Sequence, residues 1–157
     1  MTEELPAVQL YTRASISNNP QSKEDCLREL VNEMLQTDFP EINEEKLLQS
    51  IFEREALSTT GFGDGFAIPH GKSADVSTPI VAVFKLAHAV DWDAMDDELV
   101  DCIIFLIVPE TKGEEVHLKL LSHLAYNLMD EEVKAALKKA QSDEALIKVI
   151  EPILKNK

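Results

Sequence analysis

Four histidines are the residues most able to do chemistry: His70, His88, His117 and His123. Near neutral pH an imidazole can act as nucleophile, general base or metal ligand. His70 has the most suggestive surroundings. It follows the apolar run Phe66-Ala67-Ile68 and Pro69, and Gly71 comes next. The run predicts a short strand stopped by Pro69. His70 is then expected on the loop beyond that strand, where α/β proteins expose reactive groups. Pro69 stiffens the approach, and Gly71 leaves room for a bulky reactant. Local pattern alone supports a reactive imidazole and an idle loop histidine equally.

His117 falls early in a helix predicted to start at Thr111. A helix N-terminus favours the neutral ring, which can donate one hydrogen bond to a phosphate. On pattern alone, a surface histidine is the better reading. His123 lies six residues on, rotated well away, so the two do not suit one metal ion. His123 reads as structural, and His88 has no evident partner. Arg54 ends an apolar helix between Glu53 and Glu55. It is either a solvated helix end or a guanidinium fork for phosphate. Lys72 has the same two readings, and taken alone the solvated one is better.

Other chemistries find no support. The glycines at 61, 63 and 65 lack the nucleotide-loop pattern and lie between a helix and a strand, the reverse of a phosphate loop. No G-x-S-x-G, H-E-x-x-H or EF-hand pattern is present. Cys26 and Cys102 sit among apolar residues without C-x-x-C spacing, and read as buried, reduced thiols.

The elements that must position these groups fit one domain. The chain has 157 residues, enough for a single core. Its formal net charge of −14 argues against nucleic acid or anionic lipid as partner. Any phosphate site must therefore be built locally. The longest apolar run, Val100 to Pro109, is far too short to span a bilayer. Met1 is followed by Thr2, Glu3 and Glu4, which is no signal peptide, so a cytoplasmic protein is expected.

Val8, Leu10 and Tyr11 predict a short first strand. Ser22 is positioned to cap a helix bearing Leu27, Leu30, Val31, Met34 and Leu35. Asn43 caps a second, ending near Arg54 to Ala56. Ser58 to Gly65 reads as a turn-rich connection. The β-branched runs Ile80 to Leu86 and Cys102 to Val108 are buried strands. Thr111 and Glu114 fit a capping box, with Val116, Leu120, Leu121, Leu124 and Leu128 facing inward. Helices over Glu131 to Ala140 and Asp143 to Ile150 follow, the last capped by Ser142. Strands and helices so mixed predict an α/β fold: a three-layer αβα sandwich on a mixed sheet, one domain over 1–157 with its core at about 10–150.

The segment from Arg54-Glu55 through the glycine-rich loop to Ala67-Ile68-Pro69-His70-Gly71-Lys72 resembles the active-site signature of fructose–mannitol-class enzyme IIA domains of the sugar phosphotransferase system. The likeness continues in Asp91-Trp92, in Val108-Pro109 with His117-Leu118, and in the stretch from Leu137 to Ile150. Around Asp96-Asp97 the chain departs from relatives in carrying Glu98, where they commonly have glycine. The resemblance implies that His70 takes a phosphoryl group from the phosphohistidine of the carrier HPr. It would then pass that group to a cysteine of an enzyme IIB component, which serves a membrane sugar transporter. Arg54 and His117 match positions that flank the phosphate, and Asp64 a position that helps orient the site; Lys72 is kept as a supporting residue. No cofactor, metal or direct sugar contact is implied. The alternative within the same family is a nitrogen-type regulator whose phosphorylation state controls partner proteins.

Overall fold

The computed structural model describes residues 7–111 and 113–155, apart from the side chains at 113, 114 and 116. The expected Thr111–Glu114 capping box and the inward-facing Val116 therefore lie outside the described residues. The chain runs β1 (Gln9–Ile16), α1 (Lys23–Thr37), α2 (Glu44–Leu57), β2 (Gly61–Gly63), β3 (Phe66–Ala67), β4 (His70–Ser73), β5 (Ile80–Val90), β6 (Val100–Pro109), α3 (Gly113–Leu128), α4 (Glu131–Lys139) and α5 (Asp143–Leu154).

Helix starts follow side-chain chemistry. The first N–H groups of a helix lack intrahelical partners, and a short polar side chain satisfies one of them. Ser22 Oγ accepts from Asp25 N–H at 3.1 Å, Asn43 Oδ1 from Lys46 N–H at 3.0 Å, and Ser142 Oγ from Ala145 N–H at 3.1 Å. These three caps are the ones the sequence predicts.

The sheet is mixed, in the order β1-β5-β6-β3-β2, with β4 also on β6. β1 runs parallel to β5, β5 antiparallel to β6, and β3 and β4 both parallel to β6. Alternating residues face opposite sides, as pleated geometry requires. On one face Ile80, Ala82, Phe84, Ile103 and Phe105 join the apolar stripes of α1 and α2. On the other, Val81, Val83, Cys102, Ile104 and Leu106 join α3, α4 and α5. Both faces are covered, which is the three-layer arrangement expected. Both cysteines are buried, and burial pushes each thiol up to about 12.

Three local expectations are corrected. The strand does not stop for good at Pro69. It resumes at His70, which pairs opposite Leu106 on β6, so His70 starts a strand and does not sit in an open loop. Proline is tolerated because its carbonyl still takes part, accepting from Leu106 N–H at 3.0 Å. The connection after α2 is not all turn either. Gly61–Gly63 pairs antiparallel with Phe66–Ala67. The hairpin turns at Asp64 and Gly65, both with positive φ (56° and 88°), as a type I′ turn demands. The strand expected over Ile80 to Leu86 runs on to Val90, so His88 lies within β5, exposed.

Gly71 also has a different task from the one its position suggests. A Cβ there would sit 2.7 Å from Ile51 Cγ1 and 3.5 Å from the Ile51 backbone nitrogen. The missing side chain lets α2 lie directly on β4, which brings Arg54 to the His70 strand. Gly71→Ala should therefore lower stability by about 2 kcal/mol through overpacking. Urea unfolding monitored by circular dichroism checks this, and a change below about 0.5 kcal/mol would contradict the close approach.

Candidate active site at the α2–β4–α3 cleft

A cleft of about 400 Å³ opens between α2, β4 and the first turns of α3. Arg54, His70, Lys72 and His117 line it, with Ser50 and Leu118. Residues that are 16 and 47 positions from His70 thus meet at one place. α2 supplies Arg54, the broken strand supplies His70 and Lys72, and α3 supplies His117.

His70 is buried, at 7% exposure. Its Nδ1 lies 3.2 Å from the carbonyl oxygen of Ile68. A carbonyl only accepts, so Nδ1 carries the hydrogen. In the neutral ring the lone pair is then on Nε2. That nitrogen is buried and has no hydrogen-bond partner among the described residues. The His117 ring lies against it, with centroids 4.2 Å apart and planes tilted by 34°.

Burial lowers the His70 pKa below its ordinary 6.5. The Ile68 carbonyl opposes that shift, the Arg54 guanidinium adds to it, and the Glu55 carboxylate opposes it. Removing an imidazole from water disfavours its charged form, and a neighbouring cation does the same. The net result keeps a nucleophilic lone pair available near neutral pH.

Arg54 Nη1 donates to Ser58 O at 2.8 Å, just past the end of α2. This bond steadies the guanidinium, whose five N–H donors suit a planar anion. Ser50 was not singled out by sequence reasoning. It accepts the backbone N–H of Lys72 at 2.9 Å, tying α2 to β4 at the cleft wall. Its helical register with Arg54, one turn earlier, was the available signal.

Asp64 is not brought to the cleft. It occupies the β2–β3 turn, with its carboxylate ion-paired to Lys134 of α4 and its N–H bonded to Asp96 at 2.8 Å. Asp96 also accepts from Glu98 N–H at 3.0 Å, so one carboxylate ties the β2–β3 turn to the approach to β6. His123 is structural as read, with Nε2 2.7 Å from Ile153 O in α5. Among the described residues, no group of three His, Cys, Asp or Glu side chains is placed to hold a metal ion. No helix among them is long and apolar enough to cross a membrane.

Fold and cleft define a class: an α/β domain presenting one neutral, buried histidine beside an arginine and a second histidine. The family described as "Phosphoenolpyruvate-dependent sugar phosphotransferase system, EIIA 2" matches residues 10–152, and the chain belongs to that family. The chain is 35% identical over 136 residues to a "Nitrogen regulatory protein" of Pseudomonas aeruginosa, covering 87% of this chain and 88% of that one. It is also 35% identical over 141 residues to a "PTS system fructose-specific EIIA component" of Haloferax volcanii, covering 89% and 90%. Among solved structures, it superposes with a TM-score of 0.69 on a complex of enzyme IIA and phosphorylated enzyme IIB for mannitol from Escherichia coli. Identity there is 18%, over 92% of this chain and 94% of that one.

The buried neutral histidine has a pH signature. A base whose folded pKa lies below its unfolded value binds fewer protons folded than unfolded, so acid favours unfolding. Stability should fall as pH drops below 6.5, through the His70 titration, and this part of the fall should vanish in His70→Gln. The ring Cε1 proton should titrate below 6.5 by NMR. A midpoint above 6.5 would contradict the burial argument.

Proposed function

We propose that the protein is a phosphocarrier: His70 Nε2 accepts a phosphoryl group from the phosphohistidine of HPr and yields it to a cysteine of an enzyme IIB component. The observation that carries this reading is the His70 ring itself, with Nδ1–H committed to Ile68 O and an unpartnered Nε2 beside Arg54 and His117. Membership of the family supports a phosphocarrier role in sugar phosphotransfer.

In the first step the Nε2 lone pair attacks phosphorus. The donor's P–N bond breaks, and its electron pair stays on the donor imidazole. In the second step a cysteine thiolate attacks the same phosphorus, and the electron pair of the Nε2–P bond returns to Nε2. Such transfers pass through a loose transition state with charge spread over the equatorial oxygens. Catalysis is then mainly positioning and electrostatic stabilisation. Arg54 donates to those oxygens as a fork, and His117 adds a further donor. Lys72 brings a further positive charge to the same wall. On a chain of net charge −14, the added phosphate needs these local donors. Since Nε2 is shielded, a neighbouring side chain must shift as phosphorus arrives.

A second reading has its own support. The chain is similar over most of its length to a nitrogen regulatory protein. In that reading the same phosphorylated His70 controls a partner protein instead of feeding a transporter.

Incubation with phosphoenolpyruvate, enzyme I and HPr should add one acid-labile phosphate, read by intact-mass spectrometry. His70→Ala should gain none. Arg54→Ala should slow the gain by roughly 100-fold with the fold retained. His117→Ala should slow onward transfer to a IIB cysteine more than it affects stability. Labelling of His70→Ala at the wild-type rate would refute the assignment of the nucleophile.

A further inference from the structure

Glu55 stands next to Arg54 but points away from the cleft, into the protein. Its side chain is 7% exposed, a rare condition for a carboxylate. Buried charge is costly unless paired and hydrogen-bonded, and here it is both. Lys23 Nζ from the start of α1 lies 3.0 Å from Oε2. The backbone N–H of Thr60 donates to Oε2 at 3.3 Å, and the Thr60 hydroxyl bonds to Oε1. The indole Nε1–H of Trp92, which is fully buried, donates to Thr60 Oγ1 at 3.0 Å. An indole can only donate, so the Thr60 proton is directed at Glu55. The order is Trp92 N–H to Thr60 O–H to Glu55 carboxylate, a polarised chain in a dry setting. Thr59 completes it, donating its hydroxyl to Trp92 O at 2.6 Å while accepting Gly61 N–H at 3.0 Å.

This network clamps residues 58–61, and that segment holds two fixed points of the cleft. Ser58 O anchors Arg54 Nη1. Thr60 O accepts Ile68 N–H at 3.0 Å. The other side of the same residue, Ile68 O, accepts His70 Nδ1–H. A continuous run of hydrogen bonds therefore leads from the Glu55 carboxylate through Thr60 and Ile68 to the His70 ring.

We propose that Glu55, acting through Thr60 with Trp92, is a positioning residue for phosphoryl transfer: it holds Ile68 O where it keeps the His70 hydrogen on Nδ1, and holds Ser58 O where it aims Arg54. This rests on the phosphocarrier reading above. A carboxylate in this role does more than staple a loop. When Ile68 O drifts, the imidazole hydrogen can move to Nε2, which removes the nucleophilic lone pair without unfolding the protein.

The test separates this role from plain stability and from the phosphocarrier reading. Glu55→Gln keeps the shape but loses the charge. It should slow phosphoryl acceptance from phospho-HPr by up to roughly 100-fold, the loss that a misplacement of about 1 Å at a reacting group brings. Nitrogen-15 NMR of the imidazole, at a pH above its titration, should show a gain of the Nε2–H form. Thr60→Val should do the same, Thr60→Ser should retain wild-type behaviour, and Glu55→Gln with Thr60→Val should be no slower than the slower single variant. Leu146→Ala, a buried change in α5 on the opposite layer, serves as the stability control. Below its unfolding transition it should keep the wild-type rate and tautomer. Wild-type rate and tautomer in both Glu55→Gln and Thr60→Val would overturn the proposal. If the wild type itself takes no phosphoryl group, the phosphocarrier reading fails. The tautomer of the two variants would still decide the relay.

Discussion

The hydrogen bond from His70 Nδ1 to Ile68 O is the interaction on which the rest of the site depends. It requires the chain to break and resume within two residues. β3 ends at Ala67, β4 begins at His70, and Pro69 between them gives its carbonyl to β6 but has no N–H to offer. In a regular strand Ile68 and His70 would lie on one face, with their backbone groups committed to the ladder. The interruption leaves the Ile68 carbonyl available to the imidazole two residues on. A backbone acceptor thereby decides which ring nitrogen keeps its lone pair.

Electrostatics follow from the same placement. The protein is strongly acidic, and the proposed reading has His70 Nε2 receive an anionic phosphoryl group. Burial in the strand and the nearby Arg54 guanidinium both disfavour imidazolium. The local donors of the cleft then oppose the global field over a few ångströms, where pairing is least screened. Glu55 stays compatible with this arrangement because its charge is turned inward, onto Lys23 and Thr60. Adjacent residues of one helix end thus take opposite tasks. Arg54 faces the cleft, and Glu55 faces the clamp that holds it.

The sugar-transport and regulatory readings share this chemistry and diverge only at the surface that meets a partner. Leu57 and Leu118 are large, exposed apolar side chains on the rim of the cleft. Partner choice would be written in such rim residues and not in the His70 ring, since phosphoryl transfer places the same demands on the nucleophile in both roles.

Much of this was legible in the chain. Helix positions followed from the period of Leu27, Leu30, Val31 and Met34 and from the caps Ser22, Asn43 and Ser142, because helix formation is a local matter of spacing and unsatisfied N–H groups. The β-branched runs announced buried strands, and the motif around His70 carried the resemblance to the family. The hairpin at Asp64-Gly65 was read only as part of a turn-rich connection, because its flanking strands are too short to show alternation. Other features had no local signal. That His70 lies inside a resumed strand depends on pairing with Leu106. That Gly71 serves helix packing depends on Ile51. That Asp64 lies away from the cleft while Glu55 anchors it depends on where Lys134, Lys23 and Trp92 arrive. Residue types and their periodicity determined the elements, and the motif around His70 carried the resemblance that points to it as the nucleophile. Only the tertiary structure decided the tautomer of His70, its burial and its neighbours: the strand break that frees the Ile68 carbonyl depends on pairing with β6, and the surrounding elements are joined by contacts between residues 22 to 70 positions apart.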